Sequence, residues 1–162
     1  LAARSPVFNA MLMHEDTNES KTGMVVIEDM EADVAVEMLN YIYSGRCNKS
    51  GVCEVAADLL LIAADRYRLE ELKLHCESVL VEQISSDNAC HNLVLADMYR
   101  AVTLRKHALN FIMQFTKAVT SSTGWSSILK SHAHLITDIV NGFDKGPTTS
   151  SSVSSCSDEP MT

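Results

Sequence analysis

The chain has 162 residues, 46% of them hydrophobic, and a formal net charge of −8 from 13 basic and 21 acidic residues. This length suits one compact domain or somewhat more, and this apolar content excludes an intrinsically disordered chain. The acidic balance argues against nucleic acid and anionic membranes as partners, because both bind basic stripes, and no apolar run approaches the roughly 18 residues of a membrane span.

The first predicted element is a helix that starts at Ser5 and Pro6. A serine side chain can cap the first backbone amides, and a proline at the first helical position leaves no N–H unpaired. Phe8, Met11 and Leu12 then recur at helical spacing, which predicts one buried stripe.

A short strand is predicted at residues 24–27, after a polar loop over 14–23. Its run of Met, Val, Val and Ile is apolar and largely β-branched. A strand needs a hydrogen-bonded partner, and even an isolated two-stranded hairpin is marginally stable. We therefore expect the partner strands to precede Leu1 and the chain to be the later part of a longer protein.

The next predicted helix spans residues 31–44. Acidic residues suit its N-terminal end, and Gly45 is a typical helix stop. Its buried face is expected to consist of four apolar residues at helical spacing: Val34, Met38, Tyr41 and Ile42.

An internal repeat with an offset of 32 residues follows. The run Ala-Asp-Arg-Tyr-Arg at 64–68 recurs as Ala-Asp-Met-Tyr-Arg at 96–100, and Leu72-Lys73 recurs as Leu104-Arg105. Each copy predicts a helix, a tight turn after the tyrosine–arginine pair, and a second helix. Such hairpins cannot bury their apolar faces alone, so we expect them to stack.

Two further short helices are predicted around residues 125–130 and 135–142. Residues 144–162 are rich in Ser and Thr and hold little apolar surface, which predicts a disordered tail.

No metal, cofactor or catalytic site is predicted. The cysteines and histidines include no Cys-x-x-Cys or His-x-x-x-His pair, and the sequence has no nucleophile elbow or phosphate loop. Cys76 and Cys90 fall in apolar helical patterns, so we expect buried free thiols and a reducing compartment, the nucleus or the cytoplasm. The helical carboxylates are interpreted as a solvated face that pairs with Lys73 or Arg68: Glu37, Glu70, Glu71 and Glu77.

The motifs taken together resemble the BTB/POZ domain of the speckle-type POZ (MATH-BTB) family. The matching segments are residues 1–11 (LAARSPVFNAM), 25–29 (VVIED), 41–45 (YIYSG), the paired helices within 57–77, and the later 124–125 and 131–135. The resemblance implies a mainly α fold with an α+β remnant. The implied domains are a partial BTB/POZ domain at 1–83, a BACK/3-box-like helical region of stacked hairpins at 84–143, and the tail at 144–162.

The resemblance also implies a substrate adaptor of a cullin-3 RING ubiquitin ligase, acting in proteasomal degradation. Its partners would be the cullin-3 N-terminal region, a second copy of itself, and a substrate protein held by a domain outside this chain. The residues expected at the cullin contact are Met13, Thr17, Asn18, Glu19, Tyr67 and Tyr99. Trp125 and Val140 are expected at the self-association contact.

Four of these residues depart from the family pattern or leave alternatives open. Thr17 stands where the family's loop motif has a bulky apolar side chain, which predicts a cullin contact weakened by about 1 to 3 kcal/mol. Tyr67 and Tyr99 would pack at the hairpin turns or meet a partner, and Trp125 would pin the last helices or join the self-association contact. The alternative function is a helical-repeat scaffold without a ligase role.

Overall fold

A computed structural model of the protein describes residues 5–13, 21–22, 24–25, 27, 30–46 and 56–145. Nine helices are given labels: α1 (Pro6–Met13), α2 (Ala32–Ser44), α3 (Ala57–Arg66), α4 (Glu70–Glu82), α5 (Ala89–Met98), α6 (Val102–Gln114), α7 (Thr116–Thr120), α8 (Thr123–Ser131) and α9 (Ala133–Lys145). Lys21 and Thr22, which fall in the predicted polar loop, are also helical. The predicted mainly α fold is confirmed. No helix within these ranges has both the length and the apolar character that a membrane crossing requires.

The strand predicted at 24–27 is wrong for the residues of that segment that are described. Met24, Val25 and Ile27 lie outside any strand. Backbone N–H and C=O groups of an extended segment need a neighbouring strand to pair with, and the described ranges contain none. The disordered tail was predicted to begin at residue 144, which is wrong for its first two residues, because Asp144 and Lys145 belong to α9. The rest of the predicted tail lies outside the described residues.

Helices α1 and α2 begin and end as predicted. Ser5 Oγ accepts a hydrogen bond from the Phe8 amide at 3.4 Å, which caps α1 in front of Pro6. Gly45 follows α2 with a φ of 68°, a left-handed conformation that glycine adopts without strain, and its N–H donates to the Tyr41 carbonyl at 2.8 Å. The four predicted apolar residues of α2 are all buried.

The 32-residue repeat is confirmed as two helical hairpins, α3–α4 and α5–α6. Tyr67 and Tyr99 are the C-terminal caps of α3 and α5. Each is followed by an arginine with positive φ, 51° at Arg68 and 53° at Arg100. The next N–H in each copy bonds back over the turn, from Leu69 to the Ala64 carbonyl at 2.8 Å and equivalently in the second hairpin at 2.9 Å. These bonds satisfy carbonyls that the helix ends leave open.

The core continues from the first hairpin into the second. One cluster of buried side chains runs from Phe8 through α2, α3 and α4 and includes Leu95 and Leu104 of the second hairpin. A second cluster joins α5 and α6 to α7, α8 and α9. The predicted boundary between residues 83 and 84 is therefore crossed by one continuous core.

The last helices pack against the second hairpin. The two predicted at 125–130 and 135–142 correspond to α8 and α9, while α7 was not predicted. The N-terminal turn of α8 lies so close to α5 that a Cβ built on Gly124 would stand 2.9 Å from the Cβ of Cys90. Glycine is therefore required there for the close approach of the two helices.

Candidate partner-binding site

Helix α1 is anchored to the first hairpin through its N-terminal turn. Ser5 is buried, and its hydroxyl donates to the Tyr67 carbonyl at 2.7 Å. The Phe8 ring stacks on the Tyr67 ring with centroids 4.7 Å apart and an angle of 12° between the planes. A hydrogen bond and a ring stack thus hold α1 in one orientation on the end of α3.

This anchoring leaves the other end of α1 exposed. Met13, the last residue of α1, is 70% exposed. Four residues of this segment are predicted to contact cullin-3, and the structure describes Met13. The other three, Thr17, Asn18 and Glu19, lie outside the described residues. An exposed methionine at the end of a fixed helix is a suitable apolar contact for a partner, since its flexible thioether adapts to irregular surfaces.

The two repeated tyrosines are in different surroundings. The Tyr67 ring is 5% exposed and belongs to the first core, so its contacts within the chain are structural. Tyr99 is half-buried and packs against the same core. Their role in a partner contact stays a prediction.

The predicted self-association residues also differ. Trp125 in α8 is half-buried and packs against the second core, as expected for a side chain that pins the last helices. Val140 lies on α9 and is 55% exposed, next to the buried Ile139. Val140 is thus available for a contact between copies, and that contact stays a prediction.

Glu77 does not lie on a solvated face as predicted, but caps another helix. It is 3% exposed, and its Oε2 accepts hydrogen bonds from the amides of Thr103 at 2.9 Å and Leu104 at 3.1 Å. These amides belong to the first turn of α6, whose own N-cap residue is Ala101 and supplies no side-chain bond. A carboxylate is well suited to this position, because free N–H groups and the helix dipole both attract negative charge.

Sequence reasoning missed Glu77 because its partner is 26 residues away. A signal was nevertheless present. The segment before α6 has neither Ser, Thr, Asp nor Asn at its N-cap, so its amides required a cap from elsewhere in the chain.

The predicted partner of Lys73 is also wrong. Lys73 is buried and its Nζ lies 2.6 Å from Asp65 Oδ1, which joins α4 to α3. The helical carboxylate Glu71 accepts instead from the Tyr41 hydroxyl at 3.0 Å. Side-chain contacts between two neighbouring helices cannot be inferred from residue spacing along one helix.

The second hairpin repeats this pair and extends it to α9. Arg105 Nε lies 3.5 Å from Asp97 Oδ1, which matches the Lys73–Asp65 pair at the offset of 32 residues. Arg105 Nη2 also donates to Asp138 Oδ2 at 2.7 Å, and Asp97 Oδ2 lies 2.8 Å from His134 Nε2. The hydrogen bond with His134 is the main cause of a lowered pKa for the Asp97 carboxyl, and the charges of His134 and Arg105 act in the same direction.

The cysteines and histidines form no metal group in the described ranges, where no cluster of three or more His, Cys, Asp or Glu side chains could hold an ion. Cys76 and Cys90 are both buried, as predicted. Burial raises the pKa of the Cys90 thiol, partly offset by a hydrogen bond with Ser122. His132 lies at the junction of α8 and α9.

One domain family and two known proteins are similar to this chain. The profile of the BTB/POZ domain family matches residues 1–84. Protein maternal effect lethal 26 of Caenorhabditis elegans is 54% identical over 163 aligned residues, which cover 99% of this chain and 41% of that protein. TD and POZ domain-containing protein 4 of Mus musculus is 41% identical over 138 residues, which cover 85% of this chain and 37% of that protein. The chain thus spans about two fifths of the length of these relatives.

Proposed function

The chain belongs to the BTB/POZ domain family, and we propose that it is a non-enzymatic adaptor that joins the N-terminal region of cullin-3 to a substrate protein in a ubiquitin ligase. The BTB/POZ domain makes it a protein-interaction module. We further propose that it belongs to the speckle-type POZ (MATH-BTB) group, that it acts in the nucleus or cytoplasm, and that a region outside this chain holds the substrate. The sequence motifs that resemble this group support the proposal.

The observation that carries the cullin contact is the anchored α1 with its exposed last residue. Ser5 and Phe8 fix one end of α1 on Tyr67, and Met13 is left 70% exposed at the other end. Because α1 is already fixed, less conformational entropy is lost when a partner binds at Met13. In the sequence, Met13 comes six residues before Glu19, the proposed acidic contact.

Titration calorimetry of the 162-residue chain with the cullin-3 N-terminal region tests the proposal. We expect Met13→Asp to weaken binding at least tenfold, because a charge would replace an apolar contact. Leu74→Asp is the matched control, since Leu74 is 58% exposed and lies on α4, which carries none of the predicted cullin-contact residues. Equal effects of the two substitutions would contradict a contact through Met13.

Substitutions at Thr17 and Glu19 supply a second, independent test of cullin binding. We expect Thr17→Met to strengthen cullin binding by about 1 to 3 kcal/mol, through burial of a larger apolar side chain, and Glu19→Ala to weaken it. Absence of binding by both the native chain and Thr17→Met would reject the adaptor role. The alternative, a helical-repeat scaffold without a ligase role, would then be favoured by the paired hairpins α3–α4 and α5–α6.

Self-association is tested separately by sedimentation. We propose that the exposed Val140 contributes to a contact between copies, so Val140→Asp should shift the chain toward monomer. Leu74→Asp is the matched control, because Leu74 is 58% exposed on α4, outside the proposed contact. An unchanged distribution for Val140→Asp, or the same shift for both substitutions, would contradict this role.

A further inference from the structure

An open groove of about 470 Å³ lies along the N-terminal half of α6, beside the turn that follows α5. Its apolar part includes Val102, which is 76% exposed, and the half-buried Leu109. With this exposure, the Val102 side chain does not pack into the core of the described residues. It is available to a partner's apolar side chain.

The charge of the groove is opposite to that of the chain. Three cations line it, Arg100, Arg105 and Lys106, with Asp97 as the carboxylate among its lining residues. The whole chain, by contrast, has 13 basic against 21 acidic residues. A concentration of cations in an acidic chain raises the local potential and favours an anionic partner at this position.

Two of the three cations have no ion pair among the described residues. Arg105 is held by Asp97 and Asp138, at 3.5 and 2.7 Å. Arg100 and Lys106 are exposed, and neither has an ion pair with any residue that the structure describes. Their charges are therefore available to a ligand, and the guanidinium of Arg100 can bind a carboxylate through two parallel hydrogen bonds.

We propose that this groove binds an acidic peptide segment of a partner protein, with carboxylates on Arg100 and Lys106 and an aliphatic side chain against Val102 and Leu109. Charge complementarity determines the choice of occupant, because Arg100 and Lys106 lie beside the apolar Val102 and Leu109. The carboxylate of the groove, Asp97, is already paired with Arg105 and His134. The site goes beyond the proposed cullin contact and does not rest on it, since none of the residues that line the groove is among those predicted to contact cullin-3.

The test is fluorescence anisotropy of the 162-residue chain with a fluorescein-labelled peptide, Glu-Leu-Asp-Glu-Leu-Asp. We expect saturable binding that weakens as salt rises, because the contact is largely electrostatic at its rim. The neutral peptide Gln-Leu-Asn-Gln-Leu-Asn and the peptide Glu-Ser-Asp-Glu-Ser-Asp should each bind more weakly. Equal binding of the acidic and neutral peptides, or no saturable binding of the acidic peptide at low salt, would overturn the proposal.

Substitutions locate the binding to the groove. Arg100→Gln and Lys106→Gln should each weaken binding roughly two- to fivefold, the range for exposed ion pairs. Arg68→Gln is the matched control, because Arg68 has the same left-handed backbone one repeat earlier and does not line the groove. All three side chains are exposed, and thermal melts of each variant check that the fold is retained. An equal loss in Arg68→Gln would overturn the assignment to this groove.

A competition experiment separates the groove from the cullin contact. The cullin-3 N-terminal region should leave the bound acidic peptide in place, because the groove and the proposed cullin contact share no residue. Displacement of the peptide would assign the groove to the cullin contact and overturn a separate site. A chain that binds the peptide but not cullin-3 would support the groove while rejecting the adaptor role.

Discussion

Arg68 and Arg100, 32 residues apart, share a left-handed backbone conformation, with φ values of 51° and 53°. Both follow a tyrosine that caps a helix, and both are followed by an N–H that bonds back to the helix. A side chain with a Cβ is disfavoured in this conformation. The repetition of the same strained position shows that the two hairpins share one turn geometry.

The first prediction is that glycine at this turn stabilises the protein. Arg68→Gly should raise the free energy of unfolding by about 0.5 to 1 kcal/mol, because relief of the left-handed Cβ penalty outweighs the flexibility that glycine adds to the unfolded chain. Urea unfolding followed by circular dichroism measures it. Arg68→Ala is the control, since it removes the same side chain but keeps the Cβ. A gain for alanine as large as that for glycine would show that backbone strain is not the cause.

The second prediction concerns the buried carboxylate that caps α6. Glu77→Ala should lower the free energy of unfolding by about 2 to 3 kcal/mol, because the amides of Thr103 and Leu104 would lose a charged acceptor in a buried place. Glu77→Gln keeps an acceptor oxygen and should lose less. Glu70→Ala, at an exposed position on the same helix, is expected to change stability by no more than about 0.5 kcal/mol. Similar losses for Glu70→Ala and Glu77→Ala would contradict the capping role.

The third prediction is a pH dependence that arises from Asp97. Its folded-state pKa is lowered, chiefly by the hydrogen bond with His134, so the unfolded chain takes up the proton first as pH falls. The stabilisation is fully present above the unfolded pKa of about 3.9 and is lost as pH falls through the lower folded pKa.

The stability difference between the native chain and Asp97→Asn should therefore be no more than about 1 kcal/mol near neutral pH, since these pairs are partly exposed, and should shrink in acid. Urea unfolding at a series of pH values measures it. Asp87→Asn, an exposed carboxylate on the turn before α5, is the control. A difference that grows below pH 4 would have the wrong sign.

The fourth prediction tests the close approach of α8 to α5. Gly124→Ala should lower the free energy of unfolding by about 1 to 3 kcal/mol, because its Cβ would stand 2.9 Å from the Cβ of Cys90 and the helices would have to move apart. Thermal unfolding measures the loss. Ser126→Ala, at an exposed position on the same helix, should leave the midpoint nearly unchanged. An unaltered midpoint for Gly124→Ala would mean that α8 shifts freely on α5.

Periodicity along the chain was sufficient to predict the helices and the hairpin repeat. The helical spacing of Val34 and Met38, and the recurrence of the tyrosine–arginine pair, are local patterns that depend on residues a few positions apart. The cap at Ser5 and the stop at Gly45 were predictable for the same reason, since each acts within one turn of its own helix.

The prediction of a strand at 24–27 failed, because a strand depends on partner strands that a local sequence pattern does not contain. The predictions for Glu77 and Lys73 failed for a related reason. Both lie on α4 among residues that read as a solvated face, and the packing of α4 against α3 and α6 brings them to Asp65 and the α6 amides instead. Local composition decided which segments are helices. Only the packing of those helices decided which polar side chains are buried with a partner and which, such as Arg100 and Lys106, remain exposed for binding.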